Sequence, residues 1–113
     1  EAAMLRWVTG EFDTPEIESW RALKARLAES LRLIVESHGR GKTIAVFTSG
    51  GTIAASLAHV LGISGERAIR LNWQLVNSSV SRFMYNEDRI TLAGFNSFNH
   101  LELAADPSLI TYR

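Results

Sequence analysis

From Trp20 onward apolar residues return every three or four positions: Trp20, Leu23, Leu27, Leu31 and Ile34, with Ile17 one turn ahead. That spacing draws one apolar stripe and predicts an amphipathic helix across DTPEIESWRALKARLAESLRLIVESHGRG, residues 13–41. Asp13 or Thr14 suits its cap, Pro15 its first turn, and Glu16 and Glu18 the positive end of its dipole. Gly39 or Gly41 is expected to stop it. Residues 1–12 show no clear period and are expected to be irregular, with Trp7 and Phe12 as anchors.

The pattern then changes. KTIAVFTS, residues 42–49, is short, apolar on both faces and followed at once by glycine. A central parallel strand reads this way, because helices cover both of its faces. TIAASLAHVLG returns to helical spacing, with Ile53, Leu57, Ala58 and Leu61 inward and Gly62 as the stop. A short helix is predicted within Gly65–Leu75. SSVSRFMY and RITLAGFN alternate and are joined by Asn86-Glu87-Asp88, which predicts an antiparallel hairpin. The tail beyond Leu101 carries no strong signal.

These elements predict an α/β fold: a three-layer α/β/α arrangement with a mostly parallel sheet and an antiparallel edge hairpin. One parallel strand needs parallel neighbours, and the chain does not clearly supply them. Its opening, EAAMLRWVTGEFDTP, has no initiator methionine. The sequence is therefore expected to be a fragment, with the missing strands before residue 1 or on a partner chain.

Composition narrows the function classes. With 113 residues, 46% hydrophobic and 21% charged, one domain is the natural count. Zero formal charge gives no electrostatic reason to expect nucleic acid or an anionic membrane as partner. The absence of cysteine excludes disulfides and thiolate metal sites, and three histidines without clustered carboxylates give no metal signature. Neither metal nor cofactor is expected. No apolar run approaches the ~20 residues that span a bilayer, and a cytoplasmic location is expected.

Among the motifs, GRGKT (Gly39–Thr43) fails as a phosphate loop. Glu36 stands where the first glycine belongs, and the motif follows a helix and opens a strand. His38 suits the negative end of the first long helix. His59 lies off the apolar face of its helix, and His100 is read as a structural histidine. TSGGT (Thr48–Thr52) is the serious candidate. It lies at the carboxyl end of a predicted buried strand, where open α/β sheets gather ligands. Helix-opening amides from Gly50 to Ile53 and the dipole favour an anion there, and glycine lets backbone approach it closely.

In order and spacing, these pieces resemble the second half of the histidine phosphatase superfamily, the phosphoglycerate mutase-like proteins. The matching pieces are Glu18-Ser19, the strand Thr43–Thr48, the turn Thr48-Ser49-Gly50-Gly51, Leu57–Gly62, Asn77-Ser78-Ser79 and Asn96…His100-Leu101. The resemblance implies that residues 1–113 are the C-terminal portion of one such domain. It also implies phosphate-ester chemistry on a small phosphorylated molecule, through a phosphorylated histidine. The RHG motif that carries that histidine is absent from this sequence. The family's other active-site histidine aligns with Ser49, which offers only a neutral hydrogen bond where charge-assisted ones are roughly twice as strong. Ser49, Gly50 and Gly51 are then the phosphate-binding candidates, with no catalytic residue assigned.

Other readings stay open. The chain could be a non-catalytic phosphate-binding or association module, with homo-oligomerisation through an unpaired edge of the hairpin. TSGGTIA also resembles the turn of bacterial-type asparaginases, which would place a nucleophile at Thr48 or Thr52. That turn follows the first strand of its family, whereas here a long helix precedes it.

Overall fold

The computed structural model describes residues 1–112. Its elements run α1 (Ala2–Thr9), α2 (Trp20–His38), α3 (Gly50–Leu61), α4 (Gly65–Asn72), β1 (Val80–Tyr85), β2 (Ile90–Ser97) and α5 (Asn99–Leu103), then a 3-10 turn at Pro107–Leu109. Helices and one two-stranded antiparallel sheet make a mixed α and β chain, consistent with the α/β class.

Residues 1–12 are not irregular, because α1 occupies most of them. Met4, Leu5 and Val8 share a helical face that packs on the core, and Gly10 ends the helix in a left-handed conformation. Trp7 is an anchor as expected, meeting Trp20 edge to face at 5.3 Å. Phe12 is not: it stays exposed, with the Arg6 guanidinium over its ring.

The first long helix begins later than predicted, at Trp20. Ser19 takes the cap and accepts from the Ala22 amide at 3.0 Å. The Trp7 indole donates to the Glu18 carbonyl at 2.8 Å, pinning that residue outside the helix. The Glu18 carboxylate turns instead to Arg26. Residues 14–17 form a separate turn, and Ile17 is exposed. The rest of the stripe holds, with Trp20 and Leu27 buried, Leu23, Leu31 and Ile34 half-buried, and Gly39 at the stop.

The core lies among α1, α2, α3 and α4. Trp20 and Leu27 pack on Ala54, Ala55 and Ala58 of α3 and on Ala68 and Ile69 of α4. Residues Ala54 to Ala58 are buried without a break, so α3 is enclosed on every side over more than a turn. Small side chains let its neighbours close in. Leu57 and Ala58 face inward as predicted, while Leu61 is exposed.

The hairpin forms as the alternation predicts. Phe83, Tyr85, Ile90 and Leu92 take the half-buried positions, while Val80, Arg82, Met84 and Thr91 face outward. The Asn86 side chain accepts from the amides of Asp88 and Arg89 and closes the turn. The register slips twice, so β2 holds two more residues than β1. That irregularity carries Asn96, at φ 55°. Its side chain accepts from the Val76 amide and donates to the Gln74 carbonyl, which fastens the hairpin to the end of the helical layer.

The main departure is at Thr43–Thr48. The segment forms neither helix nor strand and pairs with no strand among the described residues. Nor is it buried: Val46 is 62% and Phe47 97% exposed. The sequence pattern of a covered strand is present without the neighbours that would cover it.

Candidate functional site

The TSGGT turn joins this unpaired segment to α3. Ser49 is extended, at φ −94° and ψ 165°, and stands at the helix cap position. Its carbonyl accepts the first helical bond, from Ile53 at 3.2 Å. Its hydroxyl makes no capping bond. The amides of Gly50, Gly51 and Thr52 find no acceptor among the described residues. Three open N–H groups and an idle hydroxyl therefore meet at the positive end of a 12-residue helix.

Thr48 and Ser49 are exposed, whereas Gly50 and Gly51 are half-buried. Gly50 has no room for a side chain. A Cβ there would clash with the Asn72 amide oxygen and touch Leu75 at 3.5 Å. Asn72 Oδ1 is the one buried side-chain polar atom without a hydrogen-bond partner among the described residues, and it faces Gly50. Asn72 escapes sequence reasoning because it lies on the next helix, 22 residues beyond Gly50, with no motif of its own.

One step into α3, the Ser56 hydroxyl donates back to the Thr52 carbonyl at 2.9 Å, inside the helix. Thr52 thus belongs to the helix frame. None of the three imidazoles belongs to the turn itself. His59 is nine residues along α3 from Gly50, roughly 13 Å by helical rise. His38 ends α2 and His100 lies on α5, and all three are exposed. His100, read from the sequence as a structural histidine, is a surface residue.

The displaced pKa values also lie elsewhere. Glu18 and Glu29 are held below the usual carboxylate range by hydrogen bonds from Arg26 and Arg32, and Asp106 by bonds from Ser108. These are exposed pairs on α2 and in the tail, where such interactions are weak and structural. Chemically, the turn can hold an anion by neutral donors. It presents no nucleophile with an adjacent base.

An unpaired segment, a glycine turn and a helix N-terminus with open amides meet here in a chain of mixed helix and sheet. A family model, histidine phosphatase superfamily (branch 1), matches residues 1–97. The chain belongs to that superfamily. No curated protein and no solved structure matches it. The asparaginase-like reading of Thr48 and Thr52 gains no support from this assignment. No helix among the described residues is long and apolar enough to cross a membrane.

Proposed function

We propose that Ser49, Gly50 and Gly51 form one wall of a phosphate-ester site in a phosphatase-like domain, and that these 113 residues alone bind phosphate without turning it over. In this reading Thr43–Thr48 is a strand of a mostly parallel, three-layered sheet, and the ligand is a small phosphorylated molecule. The observation that carries it is the group of open donors at the start of α3: the Ser49 hydroxyl and the amides of Gly50, Gly51 and Thr52. Such a group complements phosphate oxygens, and membership of the superfamily makes phosphate the natural anion.

The absence of turnover follows from the same geometry. Phosphoryl transfer through histidine needs an imidazole in line with phosphorus and positive donors around its oxygens. No histidine stands at this turn, and Ser49 contributes a neutral donor only. Incubation of the chain with an aryl phosphomonoester, followed by product release and intact mass, tests this. The expected result is no release above buffer and no covalent phosphate on the protein. Release that Ser49→Ala abolishes, or a phosphorylated chain, would overturn it.

A further inference from the structure

Asn72 is the last residue of α4, and its carboxamide lies against Gly50, the first residue of α3. Its Cγ is 3.5 Å from the point that a Cβ on Gly50 would occupy, and its Oδ1 is closer still. The Cα–Cβ bond of a helical residue tilts toward the helix N-terminus. At Gly50 the space left by the missing side chain is therefore at the open end of α3, and the Asn72 carboxamide takes it. Leu75, which is buried, touches the same point at 3.5 Å, so α4 and the turn after it back Gly50 with one polar and one apolar side chain.

The two ends of the carboxamide differ. Oδ1 is buried and has no donor. Nδ2 also makes no hydrogen bond among the described residues, but it is not enclosed. The oxygen is the negative end of this side chain, and the positive end of a helix favours it inward, which turns the nitrogen outward. The nitrogen is about 1.3 Å from Cγ, which sets Nδ2 within about 4.8 Å of the vacant side-chain position at Gly50. A free two-proton donor thus stands beside the open Gly50 amide.

We propose that Asn72 is a further phosphate-binding residue, its Nδ2 donating to a phosphate oxygen beside the amides of Gly50, Gly51 and Thr52. The proposal rests on the phosphate reading of the turn. It makes the wall the work of two helices, the backbone of α3 and one side chain of α4, with neutral donors throughout. It also accounts for the unpartnered oxygen. Buried acceptors without a donor are rare and call for a role. Here the oxygen anchors the carboxamide against Gly50, and that aims the nitrogen.

The test is a titration of the isotope-labelled full chain with inorganic phosphate, read at the Asn72 side-chain amide together with the backbone amides. The Asn72 Nδ2 resonances should move and saturate with those of Gly50, Gly51 and Thr52. Asn72→Leu keeps the size and removes the donor, so phosphate affinity should fall about two- to tenfold, the worth of one neutral hydrogen bond. Asn72→Asp sets an ionised oxygen in place of the donor and should abolish the saturable response. Both variants should keep the circular dichroism of the parent, and the resonances of the parent carry the test without either of them. Saturable shifts at the start of α3 with the Asn72 side chain unmoved would overturn the proposal and leave the phosphate wall standing. So would an Asn72→Leu variant that binds phosphate as the parent does. No saturable shift at either place would overturn the wall and the proposal together.

Discussion

Ser19, Ser49 and Ser64 each stand at the N-cap of a helix, and each is extended there. Ser19 accepts from Ala22 at 3.0 Å and Ser64 from Arg67 at 3.3 Å, whereas Ser49 accepts from nothing in its helix. Replacing each by alanine separates a capping hydroxyl from an idle one. A capping serine contributes about 1 kcal/mol, so Ser19→Ala should cost about that much. Ser64→Ala should cost somewhat less, because its bond is longer. Ser49→Ala removes no bond and should stay within about 0.5 kcal/mol of the parent. Urea unfolding resolves the difference. With a slope of about 1–3 kcal/mol per molar, 1 kcal/mol moves the midpoint by roughly 0.3–1 M. In millimolar phosphate the order should change, since a ligand bound only by the folded state stabilises it. The parent should then gain more than Ser49→Ala does. If Ser49→Ala costs as much as Ser19→Ala without phosphate, the hydroxyl is engaged in capping, and the argument for an open donor fails.

The fold offers other tests. Asn96→Ala removes the acceptor of the amide of buried Val76 and leaves alanine at φ 55°, so a loss of about 2–4 kcal/mol is expected by urea unfolding. Asn96→Gly should recover the backbone part of that loss, and equal losses for the two variants would contradict the assignment. Gly65→Ala would set a Cβ 2.6 Å from Trp20 Nε1 and 2.9 Å from Val8, against a ring that is 4% exposed and cannot yield. Overpacking of this kind costs about 1–3 kcal/mol, and an unchanged melting temperature would mean the α4 contact is looser than described. Glu18 and Glu29 titrate below their ordinary value of 4.5, so their contribution is full above that pH and fades as pH falls through the lowered values. Acid unfolding should therefore lose part of its slope in Arg26→Met, and in high salt as well, because these pairs are exposed.

Much of this was legible in the sequence because local patterns carried it. The stripe from Trp20 to Ile34, the glycine after His38 and the alternation of residues 80–97 are signals within one element, and each element formed. Boundaries were less legible: Asp13, Thr14 and Pro15 pointed to a start that the structure moves to Ser19, where the Trp7 indole, eleven residues from Glu18, holds the Glu18 carbonyl. The α1 helix went unread because its apolar face spans barely two turns. The candidate turn was legible as a motif, yet its two telling features were not. The idleness of the Ser49 hydroxyl is a matter of geometry, and Asn72 reaches Gly50 through tertiary packing alone. Thr43–Thr48 shows the limit most plainly: its composition says that it should be covered, and nothing in its own residues says by what.

The measurement that bears most directly on the phosphate wall is a titration of the isotope-labelled chain with inorganic phosphate, read at every backbone amide. Three open amides and one hydroxyl, at about 1 kcal/mol each, reach only the millimolar range, so the titration should extend to tens of millimolar. The largest shifts are predicted at Gly50, Gly51 and Thr52, saturating together, with sulfate acting alike and Ser49→Ala weakening the response. Shifts that centre on the exposed arginines Arg32 and Arg89, or no saturable change at the start of α3, would contradict the account.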